Sequence, residues 1–356
     1  MLSRSASASR PAPHDAATYE SAPSSHHSRF HPVVLRGALL VLGLSVVSWL
    51  IWRSGPAVVW RLLINLRWRF AGVTGLYMMY LATRALALWR IVPTSLRYSD
   101  ALRIRLMGDS IENLTFTGPF VAEPTKAWLL TRSGLPTHQA FATIATDYLL
   151  YDVVTGCLSA IAVVTLISLG VLPPVLRLVA FVLLGITGAV LSAFVYAAVS
   201  GIGVIVPLVL WSARIIGHRA TVAARKIGRV ERVLVHFLRH RRRALAEVLA
   251  IDSMSQVLLI LEVYVVLTGL VGMPRWWYPV VIEGAVKYIS LAFAFVPGQV
   301  GAAEGVYAFL TGVLGLTTTA GLTLALVRRI RSVIVAALVM APLAILGSPR
   351  AAHSPR

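Results

Sequence analysis

The chain has 356 residues, of which 57% are hydrophobic and 13% charged, with a formal net charge of +19 and a mean hydropathy of +0.77. Soluble domains carry roughly 45–50% apolar and about 25% charged residues, so the composition excludes an ordinary soluble fold and specifies an integral membrane protein. Apolar runs of about 20 residues recur, long enough to cross a hydrocarbon core about 30 Å thick. Strand-like alternation is rare, and only helices and closed barrels satisfy the backbone in lipid, so an all-α polytopic bundle of about 7–8 spans is predicted.

In chain order, residues 1–32 are rich in Ser, Ala, Pro and His without an apolar period and read as a disordered tail. The membrane domain is expected over 33–347, followed by a short tail at 348–356. No short apolar core with a small-residue cleavage site follows the tail, so the first span, about Val33 to Trp52, is read as uncleaved. A second span runs from about Ala71 to Trp89, with Trp49, Trp52, Trp60, Trp68 and Trp89 suited to interfacial anchoring. Arg84 lies within reach of a helix end and is expected to snorkel its charged head to solvent.

Tyr98 to Arg132 is too polar to span and too apolar for a free loop. It reads as a re-entrant segment with breaks at Gly118, Pro119 and Pro124, or as an amphipathic interfacial helix. Pro124 follows Glu123 and suits the first turn of a helix running through Lys126 and Trp128. A long helix is predicted from Thr137 to Gly170; Asp147 and Asp152 fall on different faces of it, so their spacing does not make a paired-carboxylate site. The lone Cys157 lies within this helix, which rules out an intrachain disulfide.

The block 174–213 contains only Arg177 as a charge. As one helix it would measure about 60 Å, so it is either one span with an interfacial piece or two spans, and one crossing is preferred. Residues 214–243 hold ten Lys or Arg against one Glu, which places them in the cytoplasm facing anionic lipid head groups. Nucleic acid is a poor partner for this loop, because no aromatic platform interleaves the charges.

The remaining spans are expected at about Leu245–Val271, Trp276–Val296 and Thr318–Leu346. Glu283 and Lys287 stand four apart in the favourable order for mutual neutralisation, whereas Glu262 has no such neighbour. Between the last two spans a second re-entrant segment breaks at Pro297, Gly298 and Gly301 and carries Glu304; the helix after it carries Arg328, Arg329 and Arg331.

These two segments form an internal repeat. Adding 181 to Glu123, Ala127, Leu129, Gly134, Leu135 and Thr137 gives Glu304, Ala308, Leu310, Gly315, Leu316 and Thr318, and sets Asp147 against Arg328 with its sign reversed. With one crossing by 174–213, both copies are expected to open on the same side of the membrane.

No phosphate loop, nucleophile elbow or His-Glu-x-x-His motif occurs, so neither a cofactor nor a metal is expected. What remains is charge at membrane depth: Asp147, Asp152, Glu262, Glu283, Lys287, Glu304, Arg328, Arg329 and Arg331. Each unpaired one costs about 2.5–3.5 kcal/mol at mid-span, so most must face a shared interior. The arginines either meet an anionic group such as a lipid phosphate or pair internally with Asp147, Asp152 or Glu304.

The runs Glu-Pro-Thr-Lys-Ala-Trp-Leu-Leu at 123–130, Pro-Gly-Gln-Val-Gly-Ala-Ala-Glu-Gly at 297–305 and Leu-Ala-Leu-Val-Arg-Arg-Ile-Arg at 324–331 resemble the membrane, flippase-like domain of lysylphosphatidylglycerol synthases and its stand-alone relatives, including those encoded with hopanoid biosynthesis. The likeness covers about residues 33–346. It implies a multi-pass protein of the bacterial inner membrane that binds or translocates a polar-headed or isoprenoid-type lipid. Many members have Gly before the first Glu and a Glu-Arg pair opening the next helix, where this chain has Ala122 and Asp147-Tyr148. The soluble aminoacyl-transfer domain of the full synthases has no counterpart in this sequence, so lysine transfer is not expected.

Two functions follow. In the first, the protein translocates a lipid without its own nucleotide site, using Glu123, Lys126, Asp147, Asp152, Glu304, Arg328, Arg329 and Arg331. In the second, it is a membrane-embedded lipid-modifying enzyme, or a partner of a lipid-biosynthetic enzyme, using carboxylates such as Asp147 and Asp152.

Overall fold

The computed structural model describes residues 68–92, 96–115, 119–203, 207, 219–292 and 302–345. The tail, the first span, and the expected breaks at Gly118, Pro297, Gly298 and Gly301 lie outside the described residues. All the secondary structure described is helical: α1 (Trp68–Ile91), α2 (Tyr98–Thr115), α3 (Pro119–Arg132), α4 (Thr137–Ser168), α5 (Pro174–Ser200), α6 (Arg219–His240), α7 (Arg242–Val271), α8 (Trp277–Ala292), α9 (Ala302–Val313) and α10 (Thr318–Ile345). Among these, α4, α5 and α7 are long and apolar enough to cross a membrane.

Local sequence explains the punctuation. Pro173 and Pro174 open α5, where a missing N–H costs nothing, and Gly201 closes it in the left-handed region at φ 72°. Pro124 is not in a first turn, as expected from sequence, but inside α3; its ring removes a backbone donor one turn into the helix. Pro119 is the first residue of α3.

The 181-residue offset reappears in the backbone. α3 ends at Arg132 and α9 at Val313, and α4 begins at Thr137 and α10 at Thr318, each pair separated by 181. Both joining turns pass through a glycine at positive φ, 98° at Gly134 and 77° at Gly315. The same backbone bonds close them: Leu135 N–H to Leu130 O at 3.3 Å and Leu316 N–H to Thr311 O at 2.8 Å. The helix contacts are paired in the same way, since α2 packs on α10 as α8 packs on α4, and α1 meets α4 as α7 meets α10.

The two units do not run in the same direction. α1 and α7, the most extensively packed pair, are antiparallel: Arg69 lies beside Gly269, Arg84 pairs with Asp252, Arg90 with Glu247 at 3.5 Å, and Arg241 reaches the Ile91 carbonyl at 3.3 Å. The same-side expectation came from counting residues 174–213 as one crossing. Within the described residues α8 runs from Trp277 to Ala292, and Trp277 at its start packs in the same apolar cluster as Leu314 just beyond α9. α8 therefore starts, and α9 ends, at one end of the bundle.

At the opposite end, Ile91, Leu150, Ala197, Leu234, Phe237 and Leu238 form a second cluster. α5 thus finishes beside the last turns of α6, next to the end of α1. Most of α5 is left uncovered by protein, with Val175, Leu178, Phe181, Ile186, Val190 and Val199 exposed.

Candidate functional site

Of the predicted interior charges Asp147, Glu262, Glu283 and Arg331 are buried; with Arg328 and three residues outside that set, Arg84, Arg105 and Asp252, they gather into two chains of four. In the first, Asp147 on α4 accepts ion pairs from Arg84 on α1 at 3.0 Å and Arg105 on α2 at 3.2 Å, and Arg84 also pairs with Asp252 on α7. In the second, Arg328 on α10 pairs with Glu262 on α7 at 3.2 Å and Glu283 on α8 at 2.7 Å, and Glu262 also pairs with Arg331. Lys287 joins Glu283 at 3.1 Å.

The quartets correspond through the repeat. Asp147 and Arg328 occupy equivalent positions; each binds one partner on the first helix of its unit, Arg84 or Glu262, and one on the second, Arg105 or Glu283. Every one of these groups has the opposite sign in the other unit. The reversal read from sequence at a single position thus extends to the partners, and each quartet is formally neutral. Neutrality explains how they are tolerated, since a buried charge must be paired to be affordable in low dielectric.

Tyrosines join the quartets. The Tyr151 hydroxyl accepts from Lys287 Nζ at 3.2 Å and lies 3.3 Å from the Tyr80 hydroxyl, while Arg84 sits over its ring at 4.1 Å. Arg331 covers the Tyr77 ring at 3.5 Å, and the Tyr77 hydroxyl donates to Asp109 at 2.7 Å. The result is a polar seam through the centre of an apolar bundle.

The remaining predicted residues divide. Lys126 is buried on α3, bound to Glu123 at 2.6 Å; Arg329 pairs with Glu304 in the first turn of α9. Internal pairing is therefore the observed state of all three arginines, but only Arg329 takes an expected partner; Arg328 and Arg331 pair with Glu262 and Glu283 and not with Asp147, Asp152 or Glu304. Asp152 is exposed and stands apart from Asp147. Arg84 does not snorkel: it is 1% exposed and central to the first quartet. Arg105, Asp252 and Tyr151 escaped the sequence reading, although Asp252, a carboxylate within an otherwise apolar helix, carried the same signal as Glu262. Among the described residues no group of three or more His, Cys, Asp or Glu is placed to hold a metal ion.

Residues 38–339 match the lysylphosphatidylglycerol synthase TM region. The chain belongs to that family. No curated protein and no solved structure gives a match. Membership in the lysylphosphatidylglycerol synthase TM-region family makes this an integral membrane protein connected with lipid, and it assigns the apolar exterior of α4, α5 and α7 to the bilayer.

Proposed function

We propose that this member of the family moves a polar-headed lipid between leaflets, its head following the polar seam while its tails stay in the surrounding bilayer. The observation that carries this reading is the continuity of the seam: two buried quartets bridged by Tyr151 and Lys287, lying between units that are repeated and antiparallel. In this reading α2–α3 and α8–α9 are re-entrant hairpins opening at opposite faces of the membrane, an inverted repeat of the kind that places a substrate site at the midplane. Arg328, the less buried cation of the second quartet, and Lys287 beside it receive the anionic head as it displaces Glu283.

The family match and the absence of a phosphate loop from the sequence support transport without nucleotide. The enzyme reading relied on Asp147 and Asp152, and these are, respectively, buried between two arginines and exposed on another face. The basic end of the bundle, with Arg90, Arg239, Arg241 and Arg242, faces the cytoplasmic leaflet of the inner membrane in this reading.

Purified full chain in liposomes tests it. Labelled anionic, zwitterionic and polyprenyl-phosphate lipids are followed between leaflets; at least one should move several-fold faster than in empty vesicles, and Glu283→Gln should alter that rate while the protein remains folded. Unchanged rates for all three lipid classes overturn the reading.

A further inference from the structure

We propose that Asp252 takes up and releases a proton, and that this controls the seam between α1 and α7. Asp252 is wholly buried. Its Oδ1 accepts from Arg84, but its Oδ2 has no partner. One turn further along α7, the buried Gln256 has an equally unpartnered Oε1, while its amide nitrogen donates to Thr155 on α4 at 2.8 Å.

Two orphaned acceptors a turn apart share a remedy. A buried acceptor without a donor is costly, and neither oxygen has a hydrogen to offer. A proton on Asp252 Oδ2 turns it into a donor toward Gln256 Oε1 and satisfies both atoms at once. The bond bookkeeping is minimal: one O–H forms on Oδ2, the proton comes from water, and no other covalent bond changes. Asp152, exposed one turn before Thr155 on α4, offers the proton an acceptor at the edge of the bundle.

The charged groups facing Asp252 are Arg84 from α1, Asp147 from α4 and Arg105 from α2; Arg328 and Arg331 of α10 are engaged by Glu262 further along α7. Protonation removes the negative charge that draws Arg84 toward α7 and leaves Arg84 to Asp147 alone. Arg84–Asp252 is an ion pair between the two antiparallel units, so its loss loosens the seam. Coupling of this event to lipid movement rests on the translocation reading; the proton site itself does not.

Infrared spectra of the full chain in liposomes, recorded as pH is lowered, test the site. The wild type should gain a carbonyl component of a protonated, buried carboxylic acid that is missing in Asp252→Asn and shifted to higher frequency in Gln256→Leu. A spectrum in which Asp252→Asn retains the whole component, or in which Gln256→Leu leaves its frequency unchanged, overturns the proposal. In the lipid assay, the several-fold pH dependence expected of the wild type should vanish in Asp252→Asn; a variant with undiminished pH dependence overturns the coupling. A wild type that shows the infrared component but moves no lipid supports the proton site and overturns only the translocation reading.

Discussion

Asp147 and Arg328 occupy the same position in two antiparallel units, and each is held by two partners of the opposite charge. Removing one partner from a buried pair costs about 3–5 kcal/mol, because the other charge is left uncompensated. Asp147→Ala should therefore strongly lower the thermal unfolding midpoint of the purified protein. Asp152→Ala, at an exposed position five residues away, should stay within about 0.5 kcal/mol of wild type. Equal losses would mean that Asp147 is not the hub of its quartet.

Gly108 provides the space occupied by Lys126. A Cβ at Gly108 would come within 2.5 Å of Lys126 Cε and Cγ, so Gly108→Val should force the lysine away from Glu123. Lipid movement should fall several-fold in the liposome assay. Gly75→Ala, where a Cβ would meet nothing within 4 Å, is the control and should leave both activity and unfolding near wild type.

The two equivalent turns should respond alike. A side chain in the left-handed region costs about 1–2 kcal/mol relative to glycine. Gly134→Ala and Gly315→Ala have nothing within 4 Å to obstruct the new methyl, so backbone strain alone should act, and the two variants should show similar drops in unfolding midpoint.

Tyr151 links the quartets through its hydroxyl. Tyr151→Phe keeps the ring under Arg84 and deletes the bond from Lys287, worth about 1.5–3 kcal/mol for a charged donor. A double-mutant cycle with Lys287→Met, read by chemical unfolding in detergent, should show coupling; additive effects would exclude the bond.

Much of this was legible in the sequence because it depends on local order. Gly134 and Gly315, Thr137 and Thr318 mark turns and helix starts, and turn chemistry is read from neighbours in the chain. The partners were not legible, because Arg84, Asp147 and Asp252 meet only when three helices distant in sequence pack together. Arg84 near the end of an apolar run has the appearance of a snorkelling side chain until the two aspartates are seen opposite it. Direction was not legible for a related reason: it depended on how many times residues 174–213 cross, and only the contacts of α1 along α7 show those two helices to be antiparallel.

The repeat also bears on how the two halves of the core differ. Asp147 stands in one unit where Arg328 stands in the other, and Arg84 and Arg105 surround the first as Glu262 and Glu283 surround the second. To a probe of shape the two hubs are alike, and to an ion they are opposites. Direction in such a protein would be written in its charges and not in its backbone.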